Sequence, residues 1–244
     1  MRISCVIFDM DGTVLNTLDD LYAASCTTLQ HYGFAAPTKE EVRQALGSGA
    51  KNLIHTLISH NTRVHAHETP YAQDVCTQNS HASDSGEQAL EADVLGEFLR
   101  IYAAHHLDTT HPYPHIPELL RELEKHEIKR ALLSNKPDHD VQELVKRYFP
   151  DTFSYASGSV DSYPLKPAPE HAHAILSTLS CPCEEALYVG DSEVDIETAK
   201  RSGMQMAIVS WGFRDKDVLR ERGASHIFDT PRELERYILN HSEK

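Results

Sequence analysis

Asp9 and Asp11 flank Met10, are followed by Gly12 and Thr13, and come directly after the apolar run Ile3 to Phe8. Such a run reads as a buried strand, and acids at the end of a buried strand are costly unless something pairs with them. Gly12 and Thr13 let the chain turn sharply and aim backbone N–H groups at an anion. Two carboxylates beside such a turn suit two tasks, holding a hard divalent cation and attacking phosphorus. Taken alone, the pair also reads as an acidic surface turn at the end of a strand.

Three further clusters bear on that choice. Ser134-Asn135-Lys136 ends the run Arg130 to Ser134 and offers a hydroxyl and exposed amides at a helix start, suited to a phosphate oxygen. Lys166 is followed by Pro167, Ala168 and Pro169, so two prolines stiffen the loop and aim one lysine. Gly190-Asp191-Ser192-Glu193-Val194-Asp195 follows the run Ala186 to Val189. With a helix starting there, Asp191 and Asp195 are four apart and share a face. Each cluster is common by itself. Their order, each at or near a strand end of one expected sheet, makes them a single site.

The elements that position these residues follow from the hydrophobic rhythm. From Pro117 onward, helices alternate with short apolar strands: Glu118 to His126 precedes Arg130 to Ser134, and Asp140 to Tyr148 precedes Thr152 to Ala156. Pro169 to Leu179 precedes Ala186 to Val189, Val194 to Ser202 precedes Met206 to Val209, and a last helix begins near Pro231. Continuous apolar strands between helices indicate an α/β fold, a Rossmann-like parallel sheet covered on both faces. Ligands bind such sheets beyond the carboxyl ends of the strands. The segment between the first two strands is helical: Leu18 to Tyr32, a helix from the Thr38–Glu41 capping box, Ala50 to Ser59, and Glu87 to His106. Residues 1–15 and 112–244 are therefore expected to form the catalytic core, and 16–111 an inserted helical cap. Within it, 61–86 is polar and weakly periodic, a long loop or loosely packed insertion.

Composition narrows the partners. The formal net charge of −14 repels the phosphates of nucleic acid, so an anionic substrate must be drawn in by a local metal or lysine. No run approaches a membrane span, and the few apolar residues before Asp9 are too few for a signal-peptide core, so a cytoplasmic location is expected. Of the five cysteines, Cys5 is expected to be a small buried hydrophobe, and Cys181-Pro182-Cys183 a surface turn rather than a metal site. His65, His67, His105 and His106 suggest zinc, but lack helical spacing with a matching acid and read as solvated. Trp211 and Phe213 are expected to pack beside the site.

The set DMDGTVLNT, LLSNKP, LKPAPE and YVGDSEVDIETAKRSGM, with Tyr113-Pro114 and VSWGF, resembles the haloacid dehalogenase superfamily, in its phosphoglycolate phosphatase-like branch with a helical cap. Three departures stand out: His115 where relatives usually have glycine, Asn16 where an acid is common, and the long polar stretch in the cap. The resemblance implies a phosphatase for a small phosphorylated metabolite. Asp9 would be the nucleophile, forming an aspartyl-phosphate, and Asp11 the general acid and then base. Mg²⁺ would be held by the Asp9 side chain, the Asp11 carbonyl and Asp191, with Asp195 orienting a ligand behind them. Gly12, Thr13, Ser134, Asn135 and Lys166 would surround the phosphoryl oxygens. Gly47, Ser48, Gly49 and Lys51 would read the substrate, or else form a turn between cap helices. A phosphosugar mutase or a pyrophosphatase on the same scaffold is the alternative, and a non-enzymatic binding module the more distant one. The oligomeric expectation is a monomer or homodimer.

Overall fold

The structure is a computed structural model that describes residues 2–60 and 84–242. The chain divides into two compact units, Met1–Thr17 with Thr110–Lys244, and Leu18–Thr109.

The first unit is built on a six-stranded sheet in the order β5-β4-β1-β6-β7-β8. Its strands are β1 (Cys5–Phe8), β4 (Lys129–Pro137), β5 (Tyr155–Ser159), β6 (Ala186–Gly190), β7 (Gln205–Val209) and β8 (Ile227–Phe228). Every pairing in it is parallel. All four residues of β1 and all five of β6 are buried, as expected of central strands covered on both faces. Helices α5 (Ile116–Lys125), α6 (Asp138–Tyr148), α7 (Glu170–Thr178), α8 (Glu193–Ser202), α9 (Lys216–Glu221) and α10 (Pro231–Asn240) belong to the same unit. A separate antiparallel ribbon pairs β2 (Leu15–Asn16) with β3 (His111–Pro112), next to both chain boundaries with the second unit.

The chain fills the sheet to one side of β1 with β4 and β5, then returns to place β6, β7 and β8 on the other. The strand order therefore reverses at β1, and a crevice opens beyond its carboxyl end. Phe8, Leu132 and Val189 lie in register across β4, β1 and β6, so Asp9, Ser134 and Asp191 all emerge within two residues of one line.

The second unit is helical among its described residues: α1 (Leu18–His31), α2 (Lys39–Ala45), α3 (Ala50–His60) and α4 (Asp84–His105). The expected capping box is present, with Glu41 N–H donating to Thr38 Oγ1 at 3.2 Å and Thr38 N–H to Glu41 Oε2 at 2.6 Å. Asp20, buried on α1, accepts the Thr109 N–H at 3.0 Å and so ties the two ends of this unit together. Among the described residues no helix is long and apolar enough to cross a membrane.

Several local expectations are corrected. The strand expected over Thr152 to Ala156 begins three residues later, because Asp151 turns through the left-handed region (φ 55°) and Thr152 N–H closes onto the Phe149 carbonyl. The short elements α9 and β8 carry too little periodicity to be read from sequence. Cys181 is not on a surface turn: it is buried in the cluster with Cys5, Ala186 and Tyr188, with its Sγ 3.4 Å from Ser4 Oγ. His106 is not solvated but buried beside the Tyr102 ring, while His105 is exposed and bonded to Asp108. His115 takes a left-handed conformation (φ 71°) at the start of α5, the conformation that glycine adopts without strain. Its Nε2 lies 3.1 Å from Glu235 Oε2, a contact glycine could not make. His65, His67, Cys76 and residues 61–83 of the polar stretch lie outside the described residues.

Candidate active site

β1 delivers Asp9 with its backbone still paired, the Asp9 N–H donating to the Val189 carbonyl at 2.8 Å. One carboxylate oxygen, Oδ1, accepts the Met10 N–H at 2.7 Å and stands 2.8 Å from Lys166 Nζ. That fixes the carboxylate plane and leaves Oδ2 as the oxygen turned to neither group. Asp9 is 5% exposed, so this is a buried acid with one oxygen held.

Lys166 reaches the same place from the loop before α7. Its Nζ bridges Asp9 Oδ1 and Asp195 Oδ1, at 2.8 and 2.9 Å. Burial alone would lower its pKa, but the charges of Asp195 and Asp9 outweigh that and raise it well above the usual lysine value. Lys166 is therefore a permanent cation here. Its backbone is clamped by Asn135, whose Nδ2 donates to the Lys166 carbonyl at 3.0 Å while Oδ1 accepts the Lys166 N–H at 2.8 Å. The expected helix start with exposed amides is not at Ser134-Asn135-Lys136, which lie within β4, and the Asn135 side chain aims the lysine.

Asp191 and Asp195 follow β6. α8 begins at Glu193, one residue before the expected Val194, with Ser192 ahead of it, so the condition under which one helical face carries both acids is not met. Asp191 thus lies in the preceding loop, and the two acids converge by that bend. The Asp195 carboxylate is saturated: Oδ2 accepts the Ser192 hydroxyl at 2.6 Å and the N–H groups of Ser192 and Asp191, while Oδ1 accepts Lys166 and the Tyr188 hydroxyl. It is 0% exposed and serves as a bracket for the loop and the lysine. Asp191 accepts the Thr13 hydroxyl at 3.2 Å on one oxygen and the Phe213 N–H at 2.6 Å on the other. Burial first, and then the Asp195 charge, push Asp191 up to about 7. Burial likewise raises Asp9, partly offset by Lys166.

Carboxylate oxygens of Asp9, Asp191 and Asp195 all lie within 4.8 Å of one another. Three buried carboxylates against the one Lys166 ammonium leave a formal charge of −2. That imbalance and the all-oxygen donor set fit a hard divalent cation such as Mg²⁺. Asp9 and Asp191 have oxygen lone pairs to give it, whereas Asp195 has spent its own.

The turn after β1 differs from expectation. Gly12 N–H donates to the Leu15 carbonyl at 2.9 Å and Thr13 N–H to the Met10 carbonyl at 3.2 Å, so both close the turn on itself and neither is aimed at an anion. The Thr13 hydroxyl likewise faces Asp191. What the turn supplies is close approach. Gly12 has φ +79°, and a Cβ there would fall 2.3 Å from Asp191 Oδ2. From the other side, a Cβ on Gly212 would fall 2.3 Å from the same oxygen and 2.4 Å from the Gly12 carbonyl. Asp191 is thus held between two backbones that admit no side chain. Gly212→Ala should lower stability by about 3 kcal/mol and divalent-cation affinity along with it, as read by chemical denaturation and calorimetric titration; unchanged affinity would show that Asp191 does not depend on this packing.

Asp11 stands apart from the three clustered acids. Its carboxylate accepts the Thr17 hydroxyl on Oδ1 at 2.8 Å and faces Lys136 Nζ at 3.1 Å from Oδ2. Ser134 is buried, and its hydroxyl accepts the Lys136 N–H at 3.2 Å, keeping its own proton to donate. In the other unit, Gly47 and Gly49 (φ 108° and 87°) flank Ser48 in the α2–α3 turn, and Lys51 is exposed on α3.

Sequence reasoning missed Lys136, Tyr113, Tyr188 and the role of Gly212. Tyr113 is raised by burial and then by the charges of Asp191 and Asp11, which places its phenol in their field. A signal for Lys136 did exist. The lysine stands two residues after Ser134 in the same cluster, and β4 runs on through it to Pro137. Trp211 and Phe213 do pack beside the site, with the Trp211 indole N–H donating to the Thr13 carbonyl at 3.1 Å.

Residues 6–209 match the family model described as haloacid dehalogenase-like hydrolase. The chain is 29% identical over 231 residues to phosphoglycolate phosphatase of Pseudomonas syringae pv. syringae, covering 94% of this chain and 77% of that one. It is 28% identical over 238 residues to phosphoglycolate phosphatase of Vibrio parahaemolyticus, covering 95% and 94%. A crystal structure from Lactobacillus delbrueckii subsp. bulgaricus superposes with a TM-score of 0.84 at 33% identity, over 98% of this chain and 99% of that one.

Proposed function

This chain belongs to the haloacid dehalogenase-like hydrolases, and from that premise we propose that it is a Mg²⁺-dependent phosphatase acting through an aspartyl-phosphate on a small, phosphoglycolate-like monoester. The observation that carries the reading is the buried triad of Asp9, Asp191 and Asp195 bridged by Lys166, with one oxygen of Asp9 left outside the bridge.

In the first step Asp9 Oδ2 bonds to phosphorus while the bond from phosphorus to the alcohol oxygen breaks. Asp11 gives that oxygen its proton, so the alcohol leaves neutral. In the second step Asp11, now a carboxylate, takes a proton from water as the water oxygen bonds to phosphorus. Inorganic phosphate leaves and Asp9 is restored. Lys166 and the Ser134 hydroxyl hold phosphoryl oxygens through both steps, and Asp195 keeps the lysine in place. A divalent cation held by Asp9, Asp191 and the Asp11 carbonyl would screen the repulsion between carboxylate and phosphoryl oxygens. Splitting the reaction in two lets one acid serve both steps, since the proton lost in the first is regained in the second.

Purified protein assayed with p-nitrophenyl phosphate and with 2-phosphoglycolate should release phosphate with Mg²⁺, and lose at least about 10²-fold in rate with EDTA or with Ca²⁺ in place of Mg²⁺. Ca²⁺ should bind and inhibit, because its larger and looser shell positions oxygens poorly. Equal rates in EDTA would contradict the metal assignment.

A further inference from the structure

Asp191 lies against the loop that joins β7 to α9. The Phe213 N–H donates to its Oδ2 at 2.6 Å, and a Cβ on Gly212 would fall 2.3 Å from the same oxygen. One oxygen of an acid proposed to hold Mg²⁺ therefore takes its position from a segment outside any helix or strand. Whatever fixes that loop fixes Asp191.

Two side chains pin it, one on each side of this contact. Before the contact, the Trp211 indole N–H donates to the Thr13 carbonyl at 3.1 Å, and the Thr13 hydroxyl in turn donates to Asp191 Oδ1. After it, Arg214 reaches Glu193 in a fork, Nε to Oε2 at 2.8 Å and Nη2 to Oε1 at 3.0 Å. Glu193 is the first residue of α8 and follows Asp191 after Ser192. The fork thus ties the residue next to Phe213 to the helix that starts beside Asp191. The Arg214 side chain is only 9% exposed, which sets this bidentate pair apart from a solvated surface bridge. Burial would raise Glu193, but the guanidinium outweighs it and holds the carboxyl below its usual value.

We infer that Arg214 is a positioning residue for the cation site: its fork to Glu193 holds the Phe213 N–H and Gly212 against Asp191, so that this carboxylate is aimed before Mg²⁺ arrives. A guanidinium near a cation site can act in two ways, and their signs are opposite. As a bare positive charge it repels Mg²⁺, so its removal would tighten binding. As a clamp it spares the cost of ordering the acid, so its removal weakens binding. The two-point contact with Glu193 is the geometry of a clamp. The inference rests on the assignment of the cation to Asp9 and Asp191, and it adds what keeps one of those ligands in place.

The test is calorimetric titration of Mg²⁺ into metal-free protein, with the emission of Trp211, the chain's one tryptophan, reporting on the loop. Arg214→Met should weaken Mg²⁺ binding about tenfold and shift the Trp211 emission of metal-free protein to the red. Arg214→Lys keeps the charge but cannot fork, so it should lose nearly as much, and it carries the test if Arg214→Met does not fold. The losses of Arg214→Met and Glu193→Gln should fall short of multiplying in the double variant, because both remove one clamp. At saturating Mg²⁺, kcat with p-nitrophenyl phosphate should return to within about threefold of wild type, which a collapsed site would not allow. Unchanged or tighter Mg²⁺ binding in the arginine variants overturns the inference, and so does weaker binding with the Trp211 emission unmoved. Wild-type protein that binds no Mg²⁺ overturns the cation assignment as well. Wild-type protein that binds Mg²⁺ but hydrolyses neither p-nitrophenyl phosphate nor 2-phosphoglycolate overturns the phosphatase reading, and the titrations alone then decide the role of Arg214.

Discussion

Asp9→Asn abolishes turnover, lowering kcat on the order of 10⁵-fold, while the protein stays folded. Asparagine has the same shape, and its carbonyl can still accept the Met10 N–H that Asp9 Oδ1 accepts at 2.7 Å. What it lacks is the second carboxylate oxygen, the one turned away from Lys166, so the attacking atom is replaced by an amide nitrogen with no lone pair to give. Other enzymes show that removing the nucleophile alone costs nearly as much as removing the whole catalytic set, because the remaining groups act only through it. The substitution also removes one of three crowded negative charges, so metal-free protein should not lose stability. Steady-state assays against wild type, with near-ultraviolet circular dichroism on the same samples, check both halves. A variant retaining more than about a hundredth of wild-type kcat would rule out Asp9 as the nucleophile.

Lys166→Met has the opposite signature, losing both activity and stability. Its Nζ is the only cation touching both Asp9 and Asp195 among the described residues, and the methionine that replaces it leaves two buried carboxylates facing each other. Removing one partner of a buried ion pair costs about 3–5 kcal/mol, because the other charge remains buried and uncompensated. Urea denaturation in EDTA should show a loss of that size, and kcat should fall at least about 10³-fold because a phosphoryl oxygen loses its cation. A second substitution separates the two effects. In Lys166→Met with Asp195→Asn, the repulsion is relieved and about half of the lost stability should return, whereas activity should not. Additive losses in the double variant would mean that the two residues are not coupled as their 2.9 Å contact implies.

The parts of this site that were legible in the sequence were those set by strand burial and residue type. β1 is four consecutive buried apolar residues, and an acid at the end of such a strand is costly unless something pairs with it. The same reasoning found Lys166, Asp191 and Asp195, because each stands where an apolar run or a proline-stiffened loop gives way to charge. What stayed hidden was where hydrogen bonds go inside a loop. Gly12 and Thr13 N–H groups close onto Leu15 and Met10 within their own turn, while Asn135 closes onto the Lys166 backbone, a pairing that depends on how segments distant in sequence meet. An i,i+4 spacing cannot distinguish a helical face from a bend that precedes the helix, so the spacing of Asp191 and Asp195 does not reveal that only Asp195 lies in α8. Lys136 is hidden for a related reason: the apolar run ends at Ser134, so the lysine reads as a loop residue, whereas β4 continues to Pro137 and the Lys136 ammonium meets Asp11.

The most direct examination of the chemistry is to quench the wild-type enzyme during turnover of 2-phosphoglycolate with Mg²⁺, reduce with borohydride, and sequence its peptides by mass spectrometry. Hydride reduces an acyl phosphate to an alcohol, so phosphorylated aspartate is recovered as homoserine. Homoserine at residue 9, absent when substrate is omitted, is the expected result. Homoserine at residue 11, 191 or 195 with Asp9 unmodified would contradict the assignment of Asp9 as the residue that carries the phosphoryl group.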